Sequence, residues 1–494
     1  MWQSHMRASS FQKRPTTISL CVALAIATNL FGCASFSSDG GMSVPAEVAA
    51  RELHKEAIAI RTESDALSAH SQVEHLLKRP LTADTAVQIA LLNNPGLQAA
   101  YNELGIVEAE MVRASLPPNP SFSFSRIAGP LEYDIEAAIA ADVLALATLP
   151  ARAEIAVDRF RSAQLKAAEE TLRTGMEARR SYYRAVAARE LADFLAEAKS
   201  AAEATAKLTS QLGETGAMNK LDLARSQVFQ TETHAQFAAA QAQAATEREK
   251  LIRSLGLSGG DLDFKILKAL PTLPRRLPAL PNVEQNAVSR RIDLQIARID
   301  LDVLAKSYGL TNATRFVNLL HLSGLYKDEM ENVPREKVDF KDFGPGLTIE
   351  IPIFDLGEVR VREAEQIYMQ ALNRLAEKAV NVRSQAREAY RSYRLSYEIA
   401  SEYERKILPL RKIISDETLL RYNGMLVDVF TLLAEARQRI LSSIAAIEAK
   451  RNFWIAKANL QAAIIGGDDA RPIDGKPETN ARVEGQMASG GDRP

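Results

Sequence analysis

Between residues 131 and 143 the side chains alternate with a period of two. Leu131, Tyr133, Ile135, Ala137, Ile139, Ala141 and Val143 fall on one side, and Glu132, Asp134, Glu136 and Asp142 on the other. That pattern predicts a strand lying between an apolar phase and water. The run Ser121 to Ser125, with Phe122 and Phe124 between serines, alternates likewise and is its expected partner. Farther on, Leu347, Ile349, Ile351 and Ile353 interleave with Thr348, Glu350 and Pro352, and pairing with Phe316 to Tyr326 is expected. Segments of about ten residues suit tilted strands crossing a bilayer. Ile135, Ile139, Ile349 and Ile351 are therefore the candidate lipid-facing positions.

Most of the remaining chain reads as helix. Helices are expected over about 82–116, 153–212 and 217–255, and again over about 283–313, 359–422 and 425–465. Pro117-Pro118 closes the first, and Pro409 is expected to kink the fifth. Leu165, Leu172, Met176, Tyr183 and Val186 recur at the spacing of a coiled-coil seam. A helix of about 60 residues spans about 90 Å, too long to fold into a globule.

The order helix, hairpin, long helix, turn, helix occurs twice. Arg179 to Tyr182 overlays Arg387 to Tyr390 at an offset of about 208, which also places Gly216 on Gly424. Upstream, Leu97 to Ala100 overlays Leu294 to Ala297 at an offset of about 197. The chain is a tandem duplication, with repeats at 81–258 and 282–467 joined by a proline-punctuated connector, 259–281. Because an open sheet edge in lipid leaves backbone groups unsatisfied at several kcal/mol each, a four-stranded membrane sheet must be shared between subunits. Three copies supply enough strands to close a ring around a water-filled lumen.

Composition removes other classes. A formal net charge of -1 offers no basic stripe for nucleic acid. No nucleophile, base or phosphate loop is assembled: Gly475-Lys476 runs into Pro477, and His70 and His75 are not at metal-ligand spacing. No enzymatic activity, cofactor or metal site is expected. Cys21 and Cys33 are the two cysteines, so no disulfide framework is expected in the repeats. Arg7, Lys13 and Arg14 precede an apolar stretch from Ile18 to Phe31, the layout of a secretory leader over residues 1–32. Residues 468–494, rich in Gly, Asp and Pro, read as a disordered tail.

Two resemblances extend this reading. Leu30-Phe31-Gly32-Cys33 resembles a bacterial lipobox, which implies that Cys33 is acylated and begins a lipidated segment, 33–80; Ala34, in place of an aspartate, implies the outer membrane. The run from Leu81 to Pro95, Ile351-Pro-Ile-Phe-Asp-Leu-Gly357 before a long helix, and Leu420-Arg-Tyr-Asn-Gly424 before Leu432 to Arg437 resemble the TolC-like outer membrane factors. That family implies a mainly α fold with a small membrane β-barrel: a homotrimer whose shared twelve-stranded barrel continues into a long periplasmic α-barrel. It further implies a passive duct joined to an inner-membrane pump through a periplasmic adaptor. By the resemblance, Gly213, Gly216, Arg421, Tyr422 and Gly424 mark hairpin tips that meet the adaptor, with glycine ending the helix. Family members carry two aspartates after the tip glycine; here Phe430 and Leu433 stand there, with Asp428 and Glu435 nearby, and these four are the candidate aperture. A periplasmic adaptor or a structural coiled-coil lipoprotein is the alternative; neither accounts for two membrane-like hairpins.

Overall fold

A computed structural model describes residues 35–129, 132–216, 218–333 and 336–467. The leader, Cys33 and the tail 468–494 lie outside the described residues.

An N-terminal strap comes first. It comprises α1 (Ser43–Val48), a π turn (Ala49–Leu53) and α2 (Glu63–Leu77). The first repeat holds α3 (Ala83–Asn93), α4 (Pro95–Ser115), β1 (Ser121–Ala128), β2 (Glu132–Asp142), α5 (Val143–Ala147), α6 (Leu149–Glu214) and α7 (Lys220–Leu255). The second holds α8 (Val283–Arg290), α9 (Ile292–Ala313), β3 (Leu319–Val333), β4 (Glu336–Glu350), α10 (Glu358–Glu402), a π turn (Tyr403–Ile407), α11 (Leu408–Asn423) and α12 (Val429–Ile465).

Both repeats break their first helix at the same place. Pro95 has no N–H and disfavours helical geometry before it, so Asn94 is extended (ψ 116) and its side chain accepts from Leu97 N at 3.1 Å. The equivalent Arg291 is also extended (ψ 122) without a proline. Its buried guanidinium instead grips Asp293 through both carboxylate oxygens, at 3.0 and 3.1 Å, and donates to Gln385 at 2.6 Å. The single helices expected over 82–116 and 283–313 are thus each two.

With 66 residues, α6 is a rod of about 100 Å. Its N-terminal half presents Ala167, Ala168, Leu172, Gly175, Met176 and Ala178, all buried, and small side chains let neighbours approach closely. A Cβ on Gly175 would lie 2.8 Å from Leu53 Cδ1, which fixes how near the strap sits. Tyr182, also buried, donates its hydroxyl to Leu81 O at 2.9 Å. The connector packs as well: Phe264, Ile266 and Leu270 are buried with Leu251 and Leu255, and Leu81 N donates to Lys265 O at 2.8 Å. In the second repeat Tyr393 and Phe453 stack at 5.5 Å between α10 and α12.

The predicted disturbance at Pro409 takes a definite form. Proline cannot donate within the ladder and its ring clashes with the preceding turn, so the chain widens into the π turn, with Leu408 N reaching Tyr403 O.

The strands form one antiparallel sheet of order β1-β2-β3-β4. Three boundaries differ from expectation. Asp142 caps α5, accepting from Ala145 N at 2.8 Å, so Val143 is helical. The second hairpin extends through charged residues whose alternation is hidden in the sequence. Ile351 and Ile353 lie beyond β4, because Pro352 offers no N–H to a ladder and the chain turns, Leu356 N donating to Pro352 O at 2.8 Å.

Gly256 ends α7 at φ +71, and an added Cβ would stand 2.5 Å from Asn93 O. Gly256→Ala is expected to destabilise the helical body by about 1–3 kcal/mol, measured as a lower urea midpoint by circular dichroism.

Candidate functional site

Strand register assigns the described sheet side chains to two faces. Phe122 pairs with Ile139 and Phe124 with Ala137; Ile139 pairs with Gly324 and Ala137 with Tyr326; Tyr326 pairs with Phe343 and Leu322 with Leu347. Directly opposed residues share a face, so these form one continuous apolar surface. It is bare: Phe122 is 73% exposed, Phe343 83% and Leu347 62%. Ile139 and Ile349 lie in it. Ile135 shares the face, but in a row with Arg126, Asp328 and Lys341, where Lys341 Nζ lies 3.4 Å from Asp328. The apolar field therefore ends in a charged row at the far end of the strands. Ile351, predicted with the strand positions, is exposed in the turn after β4.

The opposite face is polar. One row reads Ser125, Glu136, Lys327, Asp342. Lys327 Nζ lies 3.5 Å from Asp134 and 3.0 Å from Glu329, and His321 Nε2 lies 3.8 Å from Asp142. Carboxylates outnumber cations here: Asp134, Glu136, Asp142, Glu329, Asp342 and Glu350 surround Lys327 and His321. Among the described residues β1 and β4 each lack a second neighbour.

At the opposite end the helices turn. Gly213 is still helical in α6, and Gly216 takes the left-handed conformation (φ +75), its N–H donating to Gly213 O at 3.1 Å. Asn219 then caps α7, accepting from Asp222 N at 2.9 Å. The second tip differs from expectation. Gly424 is not left-handed; Met425 is, at φ 58. Leu426 N donates to Arg421 O at 2.8 Å and Met425 N to Tyr422 O at 2.9 Å, the paired bonds of a Schellman motif with Met425 one residue past the cap. The helix expected from Met425 begins at Val429. Arg421 pairs with Glu417 at 3.0 Å, while Tyr422 packs against the tip core.

The four aperture candidates separate. Asp428 caps α12, accepting from the Thr431 hydroxyl at 2.6 Å and its N–H at 2.8 Å, and these bonds hold its carboxyl below the usual range. Phe430 is half-exposed, with the Arg225 guanidinium 4.4 Å from its ring centre. Glu435 is drawn inward and lies 3.3 Å from Arg411. Leu433 is buried with Val429, Leu195, Ala202 and Phe229, so packing between the two hairpins keeps it from an aperture lining. Arg225 escaped the sequence reading because its partner sits in the other repeat.

Among the described residues no helix is long and apolar enough to cross a membrane, and no group of three or more His, Cys, Asp or Glu side chains is placed to hold a metal. The sheet has one bare apolar face and is carried on helical hairpins. Solved structures of outer-membrane proteins share this fold. CusC matches with 17% identity and a TM-score of 0.64, covering 78% of this chain and 92% of that one. The Campylobacter jejuni CmeC outer membrane channel matches with 16% identity and a TM-score of 0.61, over 78% and 86%. VceC from Vibrio cholerae matches with 14% identity and a TM-score of 0.62, over 80% and 97%. No family model and no curated protein matches the sequence. The chain has the fold of these outer-membrane channels.

The two faces respond differently to charge. Arginine at Ile139 is expected to cost about 2–4 kcal/mol in membrane folding, and at Ile135, beside an existing charged row, about 0–1 kcal/mol. Glu136→Arg is expected to leave folding intact and alter ion selectivity. Refolding into vesicles and bilayer recordings measure the two effects.

Proposed function

We propose that this chain is the outer-membrane duct of a tripartite export system, a homotrimer that passes substrates delivered by an inner-membrane pump through a periplasmic adaptor. One observation carries the reading: a four-stranded sheet whose apolar face is bare and whose two edges are unpaired, mounted on long helical hairpins. In lipid each unpaired backbone group costs several kcal/mol. Pairing β4 of one copy with β1 of the next, three times over, removes both edges and turns the polar face into a lumen. The acidic excess on that face favours cations over anions. The duct performs no chemistry, so its partners supply the energy. The likeness to CusC, CmeC and VceC supports the same architecture.

Acylation of Cys33 adds a second attachment to the outer membrane. It is expected as a mass increment on a mature chain beginning at Cys33; a chain beginning elsewhere and unmodified overturns it.

Detergent-extracted protein is expected to run as a trimer and to conduct ions across a planar bilayer; a non-conducting monomer would sink the proposal. A resting duct must be shut, and Phe430 and Asp428 are the exposed aperture candidates at the tips. Phe430→Ser is expected to raise resting conductance several-fold, because an apolar constriction blocks ions by dewetting. Asp428→Asn is expected to shift cation preference more than conductance. Leu433→Ser, in contrast, is expected to weaken hairpin packing.

A further inference from the structure

Resting on the outer-membrane reading, we infer that the turn after β4 is an anchor for the inner leaflet, with Phe354 seated among acyl chains and Arg315 and Arg360 binding phospholipid phosphate. Phe354 is 99% exposed and its neighbours Ile353 and Phe316 are also bare. These side chains lie just past the last ladder residues of the second hairpin, Leu319 and Glu350, at the end where the sheet meets the helices. From Phe343 the strand runs to Glu350, short of the about ten residues that a tilted strand needs to cross a bilayer, so the bare turn makes up the remaining length. The charged row of Arg126, Asp328 and Lys341 bounds it at one end, and the Phe354 turn bounds it at the other.

The turn is held in a fixed shape. Asp355 accepts from Gly357 N at 3.1 Å, and Gly357 sits at φ +73, where an added Cβ would collide with Arg315 O. Arg315 Nε donates to Leu356 O at 3.4 Å, and its guanidinium lies 4.8 Å from the Phe316 ring centre. Arg360 donates to Thr314 O at 3.3 Å and Arg315 O at 3.4 Å, closing the C-terminus of α9. Among the described residues neither arginine has a carboxylate partner within ion-pair distance. Each guanidinium carries five donors, so capacity remains for phosphate oxygens, and Arg binds phosphate bidentately. An aromatic ring at acyl depth beside cations at headgroup depth is how proteins mark a membrane interface. The equivalent turn of the first repeat carries Leu146, 37% exposed, in place of the phenylalanine, and its Arg152 is partly buried, with Nε shielded from solvent. The second repeat therefore supplies the anchor, one per subunit.

The experiment places Trp at position 354 (F354W), reconstitutes the full chain in phospholipid vesicles, and reads emission as the difference from the unsubstituted protein. Phospholipids brominated near the headgroup end of the acyl chain are expected to quench the added emission at least twofold, and more strongly than lipids brominated near the methyl end. Emission untouched by either lipid overturns the inference, whether the position is covered by a second copy or faces a wet lumen. In native mass spectrometry with added phosphatidylethanolamine, R315Q/R360Q is expected to retain at least twofold fewer lipids, with R315K/R360K restoring most of the loss. Equal retention in all three overturns the phosphate assignment. Planar-bilayer conductance of F354W separates the two claims: a conducting but unquenched variant removes the anchor and leaves the duct, whereas a protein that neither inserts nor conducts removes both.

Discussion

The constraint on which the rest of this structure depends is that no backbone N–H or C=O can be left unpaired in hydrocarbon. A sheet of order β1-β2-β3-β4 leaves both edges open among the described residues, and in the proposed trimer copies of the chain close them. The helices inherit whatever ring the strands make. Asp142 turns β2 directly into α5 and thence α6, and β4 passes through the Pro352–Gly357 turn into α10. With joints this short, closing the strands into the proposed ring would also set the helical hairpins side by side, as staves of one barrel.

What keeps each stave straight is close packing along α6 rather than a wide apolar stripe. Ala167, Ala168, Gly175 and Ala178 let the strap and α3 approach, while Tyr182 closes the gap at Leu81 with a hydroxyl bond. The interior is not purely apolar. Arg291 and Asp293 are buried together at the break between α8 and α9, with both carboxylate oxygens engaged. Burial, and next the charge of Asp293, raise the pKa of nearby Glu169 above its usual range. A buried pair of this sort contributes little net stability, but removing one partner leaves an uncompensated charge. Here it does for the second repeat what Pro95 does for the first, ending one helix and starting the next.

Much of this was legible in the sequence because two periods are hard to disguise. The alternation from Tyr133 to Ala141 fixed β2 and the face of Ile139, and the offset between repeats located the second hairpin. Features that depend on contacts across the repeats were not legible. Nothing near Phe430 in sequence announces Arg225, and nothing in a helical pattern distinguishes Leu433, turned into the hairpin core, from Phe430, turned out. The outer half of β3 and β4 escaped because charged residues occupy both faces there. At the second tip Gly424 is the C-cap that a glycine after a helix suggests, but the left-handed position falls one residue later on Met425, which no residue preference announces. Leu356 and His54 are left-handed as well, and no local composition rule marks them.

The same contact logic identifies the part of the molecule that can move. Cores near the strap and in the middle of the rods are closed within one chain, whereas α11 has no buried residue along its length. Leu410, Ile413, Leu419 and Leu420 are bare on it, and Arg411 to Glu435 and Arg439 to Ser415 are the polar links that tie it to α12. The π turn before it widens the backbone where α10 would otherwise continue, and such turns interrupt the ladder that stiffens a helix. A segment with few buried apolar contacts has low local stability. Displacing α11 and its tip therefore leaves the strap, connector and rod cores undisturbed, while the apolar side chains it exposes find partners only in another subunit or in a bound protein. The cheapest motion is thus concentrated at the end of the rods remote from the sheet.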